Sequence, residues 1–424
     1  MPWRILSAPR PAEAGRPPWG SSPKPHFLRR LICLALLAAS QATTAAPDEA
    51  AYGAAQGYPV GTVDNWYTQD HRVGAHSAME TLFPVRTVRA GTVPRALPRH
   101  DAVPDWPFIQ TYLDSHPATG LLVLKDGKVL VERYQYERQA EHRFTSFSMA
   151  KTLVAMATGI ALSEGRIASI DDPVDRYEPA LAATAWKGVT IRHVLNMASG
   201  VRFDETYDKP GTDIAALSRT WARQQGGLLR ALGRFQASDA APGDRFKYIS
   251  ADTQVLAQVL TRAVDRPLAD YVSDKLWQPL GAEADAVWVT DPQGMEAAYC
   301  CLSARLRDWG RLGLLLAERG QREGQSVIPA DWVDAATTVR FRDGHLQPRR
   351  ATPYFGYGYQ TWVFPDHLGF ALLGVRGQAV FVHPRLKLVM VQTAVWTSSS
   401  DARMSRQRDE LWRELVQRAA HLRP

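Results

Sequence analysis

Short β-prone runs crowd the two ends of this chain while its middle reads as helix, and that division limits the folds open to it. Leu121-Leu122-Val123-Leu124 and Val129-Leu130-Val131 flank Lys125-Asp126-Gly127-Lys128, and a D-G step between β-rich runs predicts a hairpin. Residues 359–364, 370–373, 379–382 and 386–394 read as further short strands joined by tight turns. A short helix is expected over 106–113 and an amphipathic terminal helix over 403–422. Between these ends, from about residue 148 to about 316, the pattern is helical, punctuated by Pro173, Pro179, Gly200, Pro210, Gly243, Pro279 and Gly281. The expectation is an α+β fold: an antiparallel sheet built from N- and C-terminal strands, flanked by helices, with an inserted all-helical region.

The 424 residues divide into a leader over 1–46, an extended arm over 47–104 laid across the domain, and the domain itself over 105–424. The arm lacks sustained periodicity, and its aromatics Trp66, Tyr67 and Phe83 need burial somewhere. In the leader, Arg29-Arg30 precede the apolar run 31–39, and small residues follow at Ala42, Ala45 and Ala46. That is the order of a secretory signal, and the apolar run is too short to span a bilayer. A periplasmic or secreted protein is expected, with an uncleaved membrane anchor as the alternative. The formal charge is +7, but the leader alone carries six basic residues and Glu13, a net +5 that leaves +2 for the rest. A nucleic-acid or anionic-membrane partner therefore has little support. Outside the leader only the adjacent Cys300 and Cys301 remain, so no disulfide framework is expected. The pair reads as two small buried hydrophobes, with a vicinal disulfide as the alternative in an oxidising compartment.

Chemistry enters at Ser148-Met149-Ala150-Lys151. Residues three apart share a helix face, so the Lys151 amine can reach the Ser148 oxygen, while the helix N-terminus adds partial positive charge beneath it. The spacing alone is weak, since about one S-x-x-K per chain arises by chance. Ser21 to Lys24, in a Pro-rich stretch, is such an accident. Ser148 instead leads into a stripe at Leu153, Met156, Ala157 and Ile160 that Gly165 is placed to stop. The bland reading is a helix-start Ser beside a solvated Lys.

Three further segments fit the chemical reading. Tyr248, in Lys247-Tyr248-Ile249-Ser250, could act as general base if a nearby ammonium lowered its pKa. Gly374-Val375-Arg376-Gly377-Gln378 enters a strand with small residues that let backbone amides approach a substrate carbonyl as an oxyanion hole. Leu195-Asn196-Met197-Ala198-Ser199-Gly200 reads as a helix end and loop.

In order and spacing these segments resemble the penicillin-recognising serine hydrolases, the β-lactamase-related, class C-like group, and within it the esterase and 6-aminohexanoate-dimer hydrolase branch. The resemblance runs over about 57–400. It takes in Tyr58-Pro59-Val60-Gly61, Asp171-Asp172-Pro173-Val174, Asp265-Arg266-Pro267-Leu268 and Ile328-Pro329-Ala330-Asp331-Trp332. It implies a secreted hydrolase of a small ester or linear amide, working without metal or cofactor. Ser148 would be the acylated nucleophile, Lys151 its partner and proton shuttle, and Tyr248 the base toward Ser148 and acid toward the leaving group. The backbone amides of Ser148 and Gln378 would hold the oxyanion. Ser250, Arg376, Gly377 and Tyr207, with Glu205 nearby, are the implied substrate contacts. Position 250 is Ser where the family commonly has Asn, and Val375-Arg376-Gly377 stands where β-lactamases have K-T-G. Both departures favour the esterase and amidase branch, although Arg376 could supply the missing charge if it points inward.

Rival readings have less to stand on. There is no G-x-S-x-G nucleophile elbow and no H-E-x-x-H. Trp396 could line a pocket or sit in the core, and His193 reads as packing. A β-lactamase or D-Ala-D-Ala carboxypeptidase activity, or a non-catalytic penicillin-binding-like sensor on the same fold, is the alternative. Oligomeric state is silent in the sequence.

Overall fold

A computed structural model describes residues 46–101, 105–340 and 343–422. The leader therefore lies outside the described residues, apart from Ala46. The main elements in chain order are strand β1 (Val85–Val88), helix α1 (Pro107–Ser115), β2 (Ala118–Lys125), β3 (Lys128–Tyr134), β4 (Arg143–Thr145), α2 (Ala150–Ser163), α3 (Asp213–Ala222) and α4 (Ser250–Val264). There follow β5 (Ala286–Val289), β6 (Leu302–Arg305), α5 (Leu306–Ala317), the two-residue strands β7 (Gln321–Arg322) and β8 (Gln325–Ser326), then β9 (Gly356–Tyr357) and β10 (Trp362–Val363). The chain closes with β11 (Phe370–Gly374), β12 (Gln378–His383), β13 (Leu388–Ala394) and α6 (Ala402–Ala419).

The α+β class is as the sequence indicates: a seven-stranded sheet in the order β3-β2-β13-β12-β11-β10-β9, every pairing antiparallel. The hairpin turns at Asp126 and Gly127, both at positive φ, as a two-residue primed turn requires. Every residue of β2 is buried, because the sheet is covered on both faces. Leu122 and Leu124 face one core with Val380, Val389 and Val391, while Leu121 and Val123 face the other with Phe381 and Met390. Helices α1 and α6 cover that second face through Ile109, Leu113, Leu411, Trp412 and Leu415. On the first face α5 lies close to the strands because Gly313 has no side chain: a Cβ there would stand 2.5 Å from Val389 Cγ1.

The middle is not wholly helical. β5 and β6 lie inside the span read as helix and form a second sheet, β1-β5-β6-β4. The four residues of β5 are all buried, and a buried apolar run of four carries no period to separate strand from helix. The arm is also more structured than an extended segment, with short helices at Gln69–Ala75 and Met79–Leu82 before β1 pairs with β5. Its Trp66 and Phe83 are buried in the main core.

Helix α2 runs through the centre of that core with 12 of its 14 residues buried, Lys151 among them. A helix that is apolar all round has no solvent face on which a Lys could rest, so its one cation must find partners inside. The helix ends at Ser163, and Gly165 follows at φ 71°.

Candidate active site

Ser148 lies in the 3₁₀ turn Phe147–Met149 that leads into α2. The turn is pinned from both sides. Ser146 donates its N–H to the Leu302 carbonyl at 2.8 Å, and Leu302 N–H returns a bond to Ser146 Oγ at 3.2 Å, tying the turn to β6. The end of β11 comes equally close, since a Cβ on Gly374 would stand 2.4 Å from the Ser146 carbonyl oxygen. The turn that carries Ser148 is thus wedged between the two sheets.

Lys151, 1% exposed, places Nζ 3.0 Å from Ser148 Oγ and donates to the Tyr299 carbonyl at 2.8 Å. Its Nζ lies 5.1 Å from the Tyr248 ring centroid and 5.6 Å from that of Tyr299. No salt bridge reaches it among the described residues. Burial lowers its pKa to about 7, against the opposing pull of the Glu205 carboxylate. The solvated Lys of the bland reading is therefore replaced by a desolvated amine that is partly neutral at neutral pH.

Tyr248 meets Ser148 as expected, but with the opposite electrostatics. Burial first, and Glu205 second, push its phenol above the ordinary value, with only the hydrogen bond from Ser148 pulling it down. The condition for a phenolate base, an ammonium that lowers the Tyr248 pKa, is not met. Of the two groups, the Lys151 amine is the one moved toward losing its proton, and the Tyr248 phenol is held in its protonated form.

Glu205 organises the opposite wall. Its carboxylate accepts the Ser250 N–H at 2.8 Å and the Ser250 hydroxyl at 2.5 Å, so it caps α4, and the Tyr207 hydroxyl donates to it as well. Ser250 lines the cleft, with its hydroxyl proton given to Glu205 and its oxygen left as an acceptor.

Arg376 and Gly377 differ from the expectation. Arg376 is buried, donates to the carbonyls of Trp396 and Thr397 at 3.0 and 2.7 Å, pairs with Asp208 at 2.6 Å, and lies over the Tyr67 ring. Asp208 in turn accepts the Ser399 N–H at 2.7 Å. Arg376 is a clamp between two loops and points away from the cleft, so it does not supply the charge of the missing motif Lys. Gly377, at φ 91°, makes room for Trp396, whose ring a Cβ would meet at 2.4 Å. The Gln378 side chain bonds both polar groups of Ala394 across the sheet, which leaves its backbone as the part available at the strand end.

Ser148 opens on two cavities. One, of about 360 Å³, is walled by Trp66, Tyr67, Ile214, Trp221 and Tyr299 and by the Cys300–Cys301 pair. The other, of about 720 Å³, is walled by Tyr248, Tyr354, Phe355, Trp362, Leu373 and Trp396, with α6 at its rim. Tyr207 lines both. Trp396 thus fills both roles weighed for it, 3% exposed and yet part of a wall. His193 belongs to the cap of a short helix with Thr190, away from both cavities. Cys300 and Cys301 are joined as a disulfide, so the reading of two free buried thiols gives way to the vicinal bridge. Among the described residues no group of three or more His, Cys, Asp or Glu side chains is placed to hold a metal ion.

Sequence reasoning missed the Tyr299 carbonyl, a backbone acceptor that no residue type advertises. It also missed the Glu205–Ser250 contact, because the two positions meet only once α4 is placed.

Residues 108–416 match the profile of the family described as Beta-lactamase. The chain belongs to that family. It is 28% identical over 356 residues to a 6-aminohexanoate-dimer hydrolase of Paenarthrobacter ureafaciens, covering 81% of this chain and 90% of the relative. It is 29% identical over 196 residues to esterase EstB of Burkholderia gladioli, covering 42% and 49%. A solved structure from Bacillus anthracis, assigned as a 6-aminohexanoate-dimer hydrolase, shares the fold with a TM-score of 0.75 at 20% identity, covering 86% of this chain and 98% of that one. The chain is thus an enzyme of a serine hydrolase family that includes esterases and amidases.

Proposed function

We propose that this enzyme hydrolyses a small ester or linear amide through an acyl-enzyme on Ser148. The observation that carries the reading is the buried Lys151 amine 3.0 Å from Ser148 Oγ, with no carboxylate in contact to hold its proton. As Ser148 attacks the carbonyl, its proton passes to neutral Lys151, directly or through the Tyr248 hydroxyl. The oxyanion faces the Ser148 and Gln378 backbone amides at the helix and strand ends. Collapse expels the alcohol or amine, which takes the proton back through Tyr248. Water then attacks the ester along the same relay, giving the acid and free Ser148. The carbonyl sits at Ser148 with one apolar arm of the substrate in each cavity.

The buried Arg376 clamp argues against β-lactam carboxylate recognition by that residue. A panel of p-nitrophenyl acetate and butyrate, nitrocefin, a D-Ala-D-Ala peptide and the linear 6-aminohexanoate dimer tests the reading, with Ser148→Ala as control. Ester or linear-amide turnover lost in Ser148→Ala supports it. Nitrocefin as the best substrate contradicts it, and labelling of Ser148 by a phosphonate without turnover of any member favours the sensor. The leader composition supports delivery to the periplasm or beyond. Sequencing the N-terminus of the protein recovered from a periplasmic fraction checks this, and an intact leader there would favour the anchor.

A further inference from the structure

The Cys300–Cys301 disulfide lies in the wall of the smaller cavity, and the four residues around it do unusual positional work. Tyr299 offers its carbonyl to Lys151 at 2.8 Å. Its hydroxyl receives Trp221 Nε1 at 2.8 Å and lies 3.2 Å from Ser218 Oγ. Cys300 accepts Trp288 Nε1 on its carbonyl at 2.8 Å, and Leu302 exchanges two bonds with Ser146, two residues before the nucleophile. Cys301 holds φ 67°, a left-handed conformation that a side-chain-bearing residue adopts only where its surroundings impose it. A bond between adjacent sulfurs closes a small ring through the intervening peptide, and a ring at that point is one such imposition.

We propose that the Cys300–Cys301 disulfide is a redox-sensitive positioning element of the catalytic cleft. Intact, it holds the 299–302 backbone so that the Tyr299 carbonyl meets the Lys151 amine; reduced, it releases that backbone and slows acylation of Ser148. The proposal rests on the serine-hydrolase reading and adds a modification site to it. The reductant is a dithiol small enough to enter the cleft whose wall includes both cysteines, Cys300 being 6% exposed and Cys301 0%. One thiolate attacks a sulfur, the S–S bond breaks through a mixed disulfide, and the second thiol resolves it. The dithiol gives up two electrons and two protons, Cys300 and Cys301 end as thiols, and the dithiol closes on itself.

The charged and titratable groups facing Lys151 are Glu205 from the loop after Val201, Tyr248 ahead of α4, and the Tyr299 phenol. Reduction removes none of these and adds the two thiols, whose ordinary pKa of about 8.5 leaves them uncharged through the acid limb, so in that range the carbonyl contact is the variable that changes. A carbonyl acceptor favours the ammonium, and its loss moves the Lys151 pKa down.

The test is to treat the full protein with dithiothreitol, confirm two new thiols at 300 and 301 by peptide mass mapping, and compare both states with a Cys300→Ser/Cys301→Ser variant. Two readouts are taken: p-nitrophenyl butyrate turnover against pH, and the rate of phosphonate labelling of Ser148. The expected result is a fall in kcat of about tenfold or more, with the acid limb of kcat/KM shifted to lower pH. Reoxidation restores both, and the double variant matches the reduced enzyme and ignores dithiothreitol. A bulk loss of structure would lower the amplitude without moving the limb, and would overturn the proposal. So would a fully reduced enzyme with unchanged kcat, limb and labelling rate, while Ser148-dependent turnover left the hydrolase reading standing. A Ser148 inert to substrate and phosphonate in both redox states would overturn the two together. Should the double variant not fold, the reduction and reoxidation cycle of the native chain decides alone.

Discussion

Two buried cations, Arg376 and Lys151, have surroundings that differ in one respect. Arg376 has two carbonyls and the Asp208 carboxylate as partners, and it holds two loops together. Lys151 is equally buried but has only a carbonyl and a hydroxyl, and its pKa falls to about 7. A cation paired with a carboxylate inside a protein is architecture, whereas one left short of a counter-charge can give up its proton and do chemistry.

The comparison breaks first at Lys151. Lys151→Ala is expected to fold and to lose about a thousandfold or more of ester turnover, read as kcat/KM with thermal melting as the fold control. An active Lys151→Ala enzyme would put the base elsewhere. Next comes Tyr248→Phe, expected to lower kcat by roughly a hundredfold while KM stays within a few-fold, because the relay acts in the transition state. The same pair should differ in stability: Asp208→Ala strands the Arg376 charge and is expected to lower stability by about 1–3 kcal/mol, discounted because Asp208 is partly exposed. Chemical denaturation measures that, and the catalytic pH profile should not move.

The pH dependence sharpens the contrast further. In the proposed mechanism Lys151 acts when neutral, so kcat/KM is expected to rise as pH increases through about 7. Glu205 favours the ammonium, so Glu205→Gln lowers the Lys151 pKa and moves that rise to lower pH, by about one unit or less. A shift to higher pH would mean that Glu205 acts on another group. The smallest effect is expected from the cavity walls: Tyr354→Ala, in the larger one, should change KM for long-chain esters by a few-fold and leave p-nitrophenyl acetate unchanged.

Much of this was legible in the residues. The hairpin at Asp126-Gly127, strands β11 to β13 and the terminal helix follow from alternation and turn chemistry, the Ser148–Lys151 contact follows from three-residue helical spacing, and Tyr248 came with the family resemblance. The rest failed for identifiable reasons. β5 and β6 are too short and too buried to show a period. Whether Arg376 faced the substrate depended on Asp208, 168 positions earlier in the chain, and Ser250 looked like a substrate contact until Glu205 claimed its hydroxyl proton. The Tyr299 carbonyl is backbone, and a sequence does not mark which carbonyl will be aimed at an amine. Side-chain contacts were readable from spacing where the partners were local, as at Ser148 and Lys151, and needed the family resemblance or the fold itself where they were distant.

The most direct test is to quench the enzyme within its first turnover of p-nitrophenyl butyrate and map the mass of the peptide carrying Ser148. The account predicts a butyryl adduct on Ser148 that forms faster as pH rises through about 7. Turnover with no adduct on Ser148, or an adduct whose formation does not depend on pH in that range, would contradict it.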